Sequence, residues 1–164
     1  MKTRTFSVVI ALLLALSSVN SNAQDNSFSG EWKINLQKTQ LGEAQLYLSG
    51  IRILLKGDSL KTTRTYTDVN GSEYPFDEPL TLDGKEYKIY IYDMPRKAKA
   101  SRSASDGSIA IETTTTFNGN SGPEDLVSKE SWKVESDGQT LTMTFTTKMS
   151  GGEFPGVYYY SKVK

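Results

Sequence analysis

Turn dipeptides recur along most of the chain. Gly57-Asp58, Asn70-Gly71, Asp83-Gly84, Asp106-Gly107, Gly119-Asn120 and Asp137-Gly138 each separate two runs rich in β-branched and aromatic residues. Asp-Gly and Asn-Gly favour the positive backbone angles of tight hairpins, whose twist matches that of the strands they join. The runs between them alternate with period two. Leu141, Met143 and Phe145 are separated by threonines, and Ile109 and Ile111, Ile51, Ile53 and Leu55, and Trp132 and Val134 repeat the pattern. Such alternation puts one face of each strand on a core. Strands are predicted near 28–35, 49–56, 59–67, 77–82, 86–92, 96–104, 108–117, 127–135, 139–147 and 156–163. One short helix fits 38–48, where Leu41, Ala44, Gln45 and Leu48 share a face, although Gly42 interrupts it. The fold class is all-β, an antiparallel up-and-down meander of about eight to ten strands. A meander this long exposes two edges unless it closes, so a barrel is favoured, with a two-sheet β-sandwich as the alternative.

The first 23 residues fall outside this rhythm. Lys2 and Arg4 precede an apolar run from Val8 to Leu16, and Ser21-Asn22-Ala23 offers small residues for cleavage. That order is the pattern of a secretory signal peptide, and the run is too short to span a bilayer. Residues 24–164 then form one domain, periplasmic or extracellular, with no integral membrane segment in the mature form. The whole chain carries 19 basic and 19 acidic residues, so losing Lys2 and Arg4 leaves a net charge of −2. That balance gives no electrostatic case for binding nucleic acid. Cys and His are absent. Disulfides, Ser-His-Asp triads and cysteine nucleophiles are thereby excluded, and zinc or copper sites are disfavoured. No catalytic residue, metal ligand or cofactor site is predicted.

The mature chain opens on Phe28-Ser29-Gly30-Glu31-Trp32-Lys33-Ile34-Asn35. Gly30-x-Trp32 on the first strand resembles the lipocalin signature, and the Gly-x-Trp-Lys opening with an Asp83-Gly84-Lys85 turn is similar to small exported bacterial lipocalin-like proteins. The resemblance implies a β-barrel with Gly30 and Trp32 at its floor, a cation from Lys162 or Lys164 across the Trp, and room for a small ligand. The second lipocalin motif, Thr-Asp-Tyr, is missing; Thr67-Asp68-Val69 echoes it only in part.

Candidate ligand contacts are Arg64, Tyr66, Tyr90 and Trp132. Arg64 shares the parity of Leu60 and Tyr66. If it faces inward it needs a partner, either a protein group or the anionic head of a ligand, because a buried lone charge is costly; if the parity slips it faces water. Tyr66 and Tyr90 combine apolar area with a polar tip, suited to a pocket wall or to plain cross-strand packing. Trp132 is either core or a ligand contact. Asp77-Glu78 and Glu124-Asp125 are adjacent carboxylates that would point to opposite faces of a strand, and Pro75, Pro79 and Pro123 suggest that they lie in loops. The expected function is noncatalytic binding of a small apolar or amphipathic molecule. The alternative is a filled barrel acting as a structural or protein-interaction module through its outer face and a loop at 117–127, its protein partner unknown. An enzyme would have to work with Asp, Glu, Lys, Tyr or Ser alone.

Overall fold

The computed structural model describes residues 27–119 and 122–164. The expected signal peptide, 1–23, lies outside the described residues. Ten strands follow in order: β1 Gly30–Ile34, β2 Leu46–Lys56, β3 Ser59–Asp68, β4 Glu73–Thr81, β5 Tyr87–Ile91, β6 Met94–Arg102, β7 Ile109–Gly119, β8 Gly122–Val134, β9 Thr140–Met149 and β10 Gly152–Lys162. They form one antiparallel sheet in the order β4-β3-β2-β1-β10-β9-β8-β7-β6-β5. Because β1 pairs with both β2 and β10, the chain's two halves join side by side, and the sheet curls into a nearly closed barrel rather than two stacked sheets.

The turn residues act as their chemistry requires. Gly71 and Gly138 take positive φ of 83° and 63°. The preceding carboxylates Asp68 and Asp137 accept backbone N–H groups across their turns, from Asn70 and Ser72 and from Gln139 and Thr140. No helix forms over 38–48: residues 35–45 turn back directly, and Leu46 and Leu48 belong to β2. A bulge between Leu48 and Gly50 shifts the register of β2, so Leu48 and Ile51 both face the core despite their opposite parity.

The expected loop at 117–127 is corrected to a hairpin. Strand β7 continues to Gly119 and β8 starts at Gly122, with Phe117 opposite Glu124 and Thr116 opposite Asp125. Pro123 tolerates this place because it is the second residue of its strand. Asp77-Glu78 likewise lies on β4 and not in a loop. Pro75 and Pro79 fit there because β4 ends the sheet. The Pro75 carbonyl accepts a 2.6 Å bond from the Tyr92 hydroxyl, so that side of β4 faces the seam toward β5. Two residues of that parity without N–H groups blunt the exposed edge.

Side chains close the seam. Tyr92 packs edge-on to Tyr74 at 6.3 Å, and the hydroxyls of Thr81 and Tyr87 meet at 2.9 Å. Tyr92 and Asp93 form the β5–β6 turn with φ of 48° and 67°, a conformation that suits glycine. Asp93→Gly is therefore expected to raise stability by about 0.5–1 kcal/mol, read as a higher urea midpoint.

The core fills one end of the barrel. Trp32, Leu60, Ile109, Ile111, Leu141 and Tyr160 are all fully buried. Trp32 donates its indole N–H to the Phe28 carbonyl at 2.8 Å, and Lys162 Nζ lies 5.0 Å from its ring centroid.

Candidate functional site

Above that core the inward faces carry charge. Arg64 on β3 is fully buried, and its guanidinium makes a two-pronged contact with Glu130 on β8, at 2.9 and 3.0 Å. Its Nε lies 2.9 Å from Glu78 on β4. Arg96 on β6 meets the other Glu78 oxygen at 2.8 Å and donates to Thr115 Oγ1 at 2.9 Å. Trp132 donates to Glu130 at 2.9 Å and lies beneath the Arg64 guanidinium, 5.0 Å from ring centroid to Cζ. Two cations and two anions thus form an internally neutral layer. The Glu78–Arg96 pair also ties β4 to β6 across the seam.

Burial opposes charge on Arg64, but Glu130 and Glu78 outweigh it and hold its pKa well above the ordinary value. Burial likewise pushes the Glu78 carboxyl up, while Arg64 and Arg96 pull it down further, for a net lowering. A carboxylate whose pKa is depressed by folding stabilises fully above its unfolded pKa. That contribution fades as pH falls through the folded value. Stability from this group should therefore hold through neutral pH and decline below about pH 4.5. Tyr160, raised well above 10.0 chiefly by burial, acts in the opposite sense: its contribution is complete below the ordinary tyrosine value and is lost at higher pH. A series of urea titrations from pH 2.5 to 11 reads both limbs.

The next inward positions toward the other end are aromatic. Tyr66 lies two residues beyond Arg64, Phe76 two before Glu78, Phe145 two after Met143 and Tyr158 two before Tyr160. Tyr66 and Phe76 stack with centroids 6.1 Å apart; Phe145 and Tyr158 meet edge-on at 4.8 Å. Burial raises the Tyr66 and Tyr158 pKa values, and the Tyr66 phenol is close enough to add to the shift on Tyr158. Exposure grows outward along these faces. On β10, Tyr160 is fully buried, Tyr158 half-buried and Phe154 exposed; on β4, Leu80 and Glu78 are buried, Phe76 half-buried and Tyr74 exposed. The result is a layer of half-buried aromatic rings, an aromatic cup, packed above a neutral charged floor on the side where exposure rises.

Among the residues expected at the site, Arg64 and Trp132 meet in the floor and Tyr66 joins the cup. Arg64 faces inward without a slip of parity, and its partners are carboxylates of the protein. Trp132 is wholly buried beneath it, in the core position. Tyr90 is corrected: it is 77% exposed on the outer wall, because Tyr87, Ile89 and Ile91 take the inward face of β5. Glu78, Arg96 and Glu130 were not anticipated. Each shares the parity of buried apolar neighbours: Glu78 with Leu80, Arg96 with Ala98, Glu130 with Trp132. Two clefts of about 400 and 180 Å³ indent the outer wall, one around Arg52, Leu54, Lys61 and Asp77, the other around Lys88, Tyr90, Pro95 and Lys97. Among the described residues no group of three or more acidic, His or Cys side chains is placed to hold a metal ion. No helix there is long and apolar enough to cross a membrane.

No protein family matches the sequence, and no curated protein does. Solved structures match in shape. A secretory abundant heat soluble (SAHS) protein from Ramazzottius varieornatus superposes with a TM-score of 0.54 at 16% identity, over 84% of this chain and 96% of that one. Zebrafish ileal bile acid-binding protein, solved with cholic acid, gives 0.49 at 16% identity, over 84% and 99%. The chain has a lipocalin-like β-barrel fold, and the likeness at this identity is one of fold.

Proposed function

We propose that the protein is a noncatalytic binding barrel that takes a small apolar or amphipathic molecule in the aromatic cup, and that it works outside the cytoplasm after losing residues 1–23. The observation that carries this reading is the gradient of burial. The inward-facing rings of Tyr66, Phe76, Phe145 and Tyr158 stay half-buried toward one end, while Phe28 and Trp32 are fully buried at the other. Burying apolar ligand surface there yields about 25 cal/mol per Å², with the Tyr66 and Tyr158 phenols to orient a polar group. The Lys2-to-Ala23 pattern supports export, and Gly30-x-Trp32 supports the exported lipocalin-like type. The lack of His and Cys supports a role without catalysis. Titration with the uncharged fluorophore N-phenyl-1-naphthylamine tests the site. Phe76→Ser should weaken saturable binding about tenfold, and Tyr90→Ser on the outer wall should leave it unchanged. Equal loss from both, or from neither, contradicts the cup.

A second reading is favoured by one observation: both outer clefts lie on the barrel wall, away from the cup. An interaction module would use that wall. It predicts no uptake of the fluorophore.

A further inference from the structure

The cup's two walls are built differently. On one, Tyr66 and Phe76 stack with ring planes only 10° apart. On the other, Phe145 has been laid down. Its partner across β9 and β10 is Gly156, which shares the inward parity of Tyr158. The far edge of the Phe145 ring rests on that glycine: a methyl group at position 156 would overlap Phe145 Cζ and come within 2.8 and 2.9 Å of Cε1 and Cε2. No residue with a side chain leaves the ring that seat. Turned off it, the ring would stand out from β9 into the cup. In its seat it lines the wall, edge-on to Tyr158 at 4.8 Å.

Charge in the floor is already spent. Arg64 and Arg96 are matched by Glu78 and Glu130, so a charged ligand entering the cup would lose water without finding a free counter-charge below.

We propose that the cup takes an uncharged, planar aromatic molecule, slotted between the Tyr66–Phe76 wall and the Phe145–Tyr158 wall, and that Gly156 sets the width of the slot by letting Phe145 lie flat. This rests on the reading of the cup as the ligand site.

Two fluorophores with one skeleton test it: N-phenyl-1-naphthylamine, which is uncharged, and 1-anilinonaphthalene-8-sulfonate, which adds a sulfonate. The native chain should bind the first saturably and the second about tenfold or more weakly. Phe145→Ala should weaken the first about threefold, by loss of one ring face. Gly156→Ala should weaken it about tenfold, because the displaced ring fills the slot. Gly156→Ala combined with Phe145→Ala should match Phe145→Ala alone, since the glycine matters only through the ring. Equal affinity for the two fluorophores overturns the uncharged slot. A Gly156→Ala loss that persists without Phe145 overturns the gauge. Should Gly156→Ala fail to fold, the fluorophore contrast and Phe145→Ala still decide: no loss on Phe145→Ala refutes the slot. Absence of binding by both fluorophores instead overturns the ligand reading itself.

Discussion

Replacing Arg64 with methionine is expected to cost about 3–5 kcal/mol of folding stability, the range for removing one partner of a buried ion pair. Glu130 would keep only the Trp132 indole N–H, and Glu78 would keep only Arg96. For a domain of this size the thermal midpoint should fall by about 10 °C or more. Much of the loss is the penalty of stranding carboxylates in a low-dielectric interior, and a compensated replacement separates that penalty from the worth of the network. Converting Arg64, Glu78, Arg96 and Glu130 together to Met, Leu, Met and Leu should recover most of the stability, because apolar side chains of similar volume often match a buried ion cluster. Calorimetry of both variants decides the point. A single Arg64→Met change that costs under about 1 kcal/mol would mean that the layer is hydrated and exerts little hold on the barrel.

Trp32→Ala should have a comparable effect, about 3–5 kcal/mol in urea unfolding. Trp32 stands on the short strand β1, opposite Ile51 on one side and Lys162 on the other, where the two halves of the sheet join. Its loss opens a cavity in the core and frees the Phe28 carbonyl. Lys162→Gln removes only the cation over the ring and should cost about 0.5–2 kcal/mol. Its Nζ also reaches the Ser27 carbonyl at 3.1 Å, so the upper part of that range is expected. Similar losses for the two variants would place the stabilisation in the cation and not in the packing of the indole.

The fold was largely legible because hairpin chemistry is local. Gly57, Gly71, Gly84, Gly107 and Gly138 all take the positive φ that their dipeptides suggest. Strand ends at the cup were harder to read. Residues 73–76, 122–126 and 152–155 contain Pro75, Pro123, Pro155 and glycines that look like breakers, yet edge positions and hairpin tips accept them. The helix expected at 38–48 failed because Leu46 to Leu48 pair with Tyr66 to Asp68 as the start of β2, and the bulge after Leu48 lets it face the core. At the site, alternation alone put Arg64 inside. Its partners come from sequence separations of 14 and 66 residues, which no local pattern joins. Glu78 was hidden further by two flanking prolines. Tyr90 was misplaced because β5 carries tyrosines on both faces, so composition could not choose between them. The seat of Phe145 on Gly156 depends on cross-strand register, which the sequence leaves open.

Whether the aromatic cup holds a small apolar molecule is decided by native mass spectrometry of the protein purified from its own host. The expected result is a chain beginning at Gln24 that carries one stoichiometric small molecule, extractable into organic solvent and bound at lower occupancy by Phe76→Ser. A bare mass, with no uptake of N-phenyl-1-naphthylamine afterwards, would contradict it.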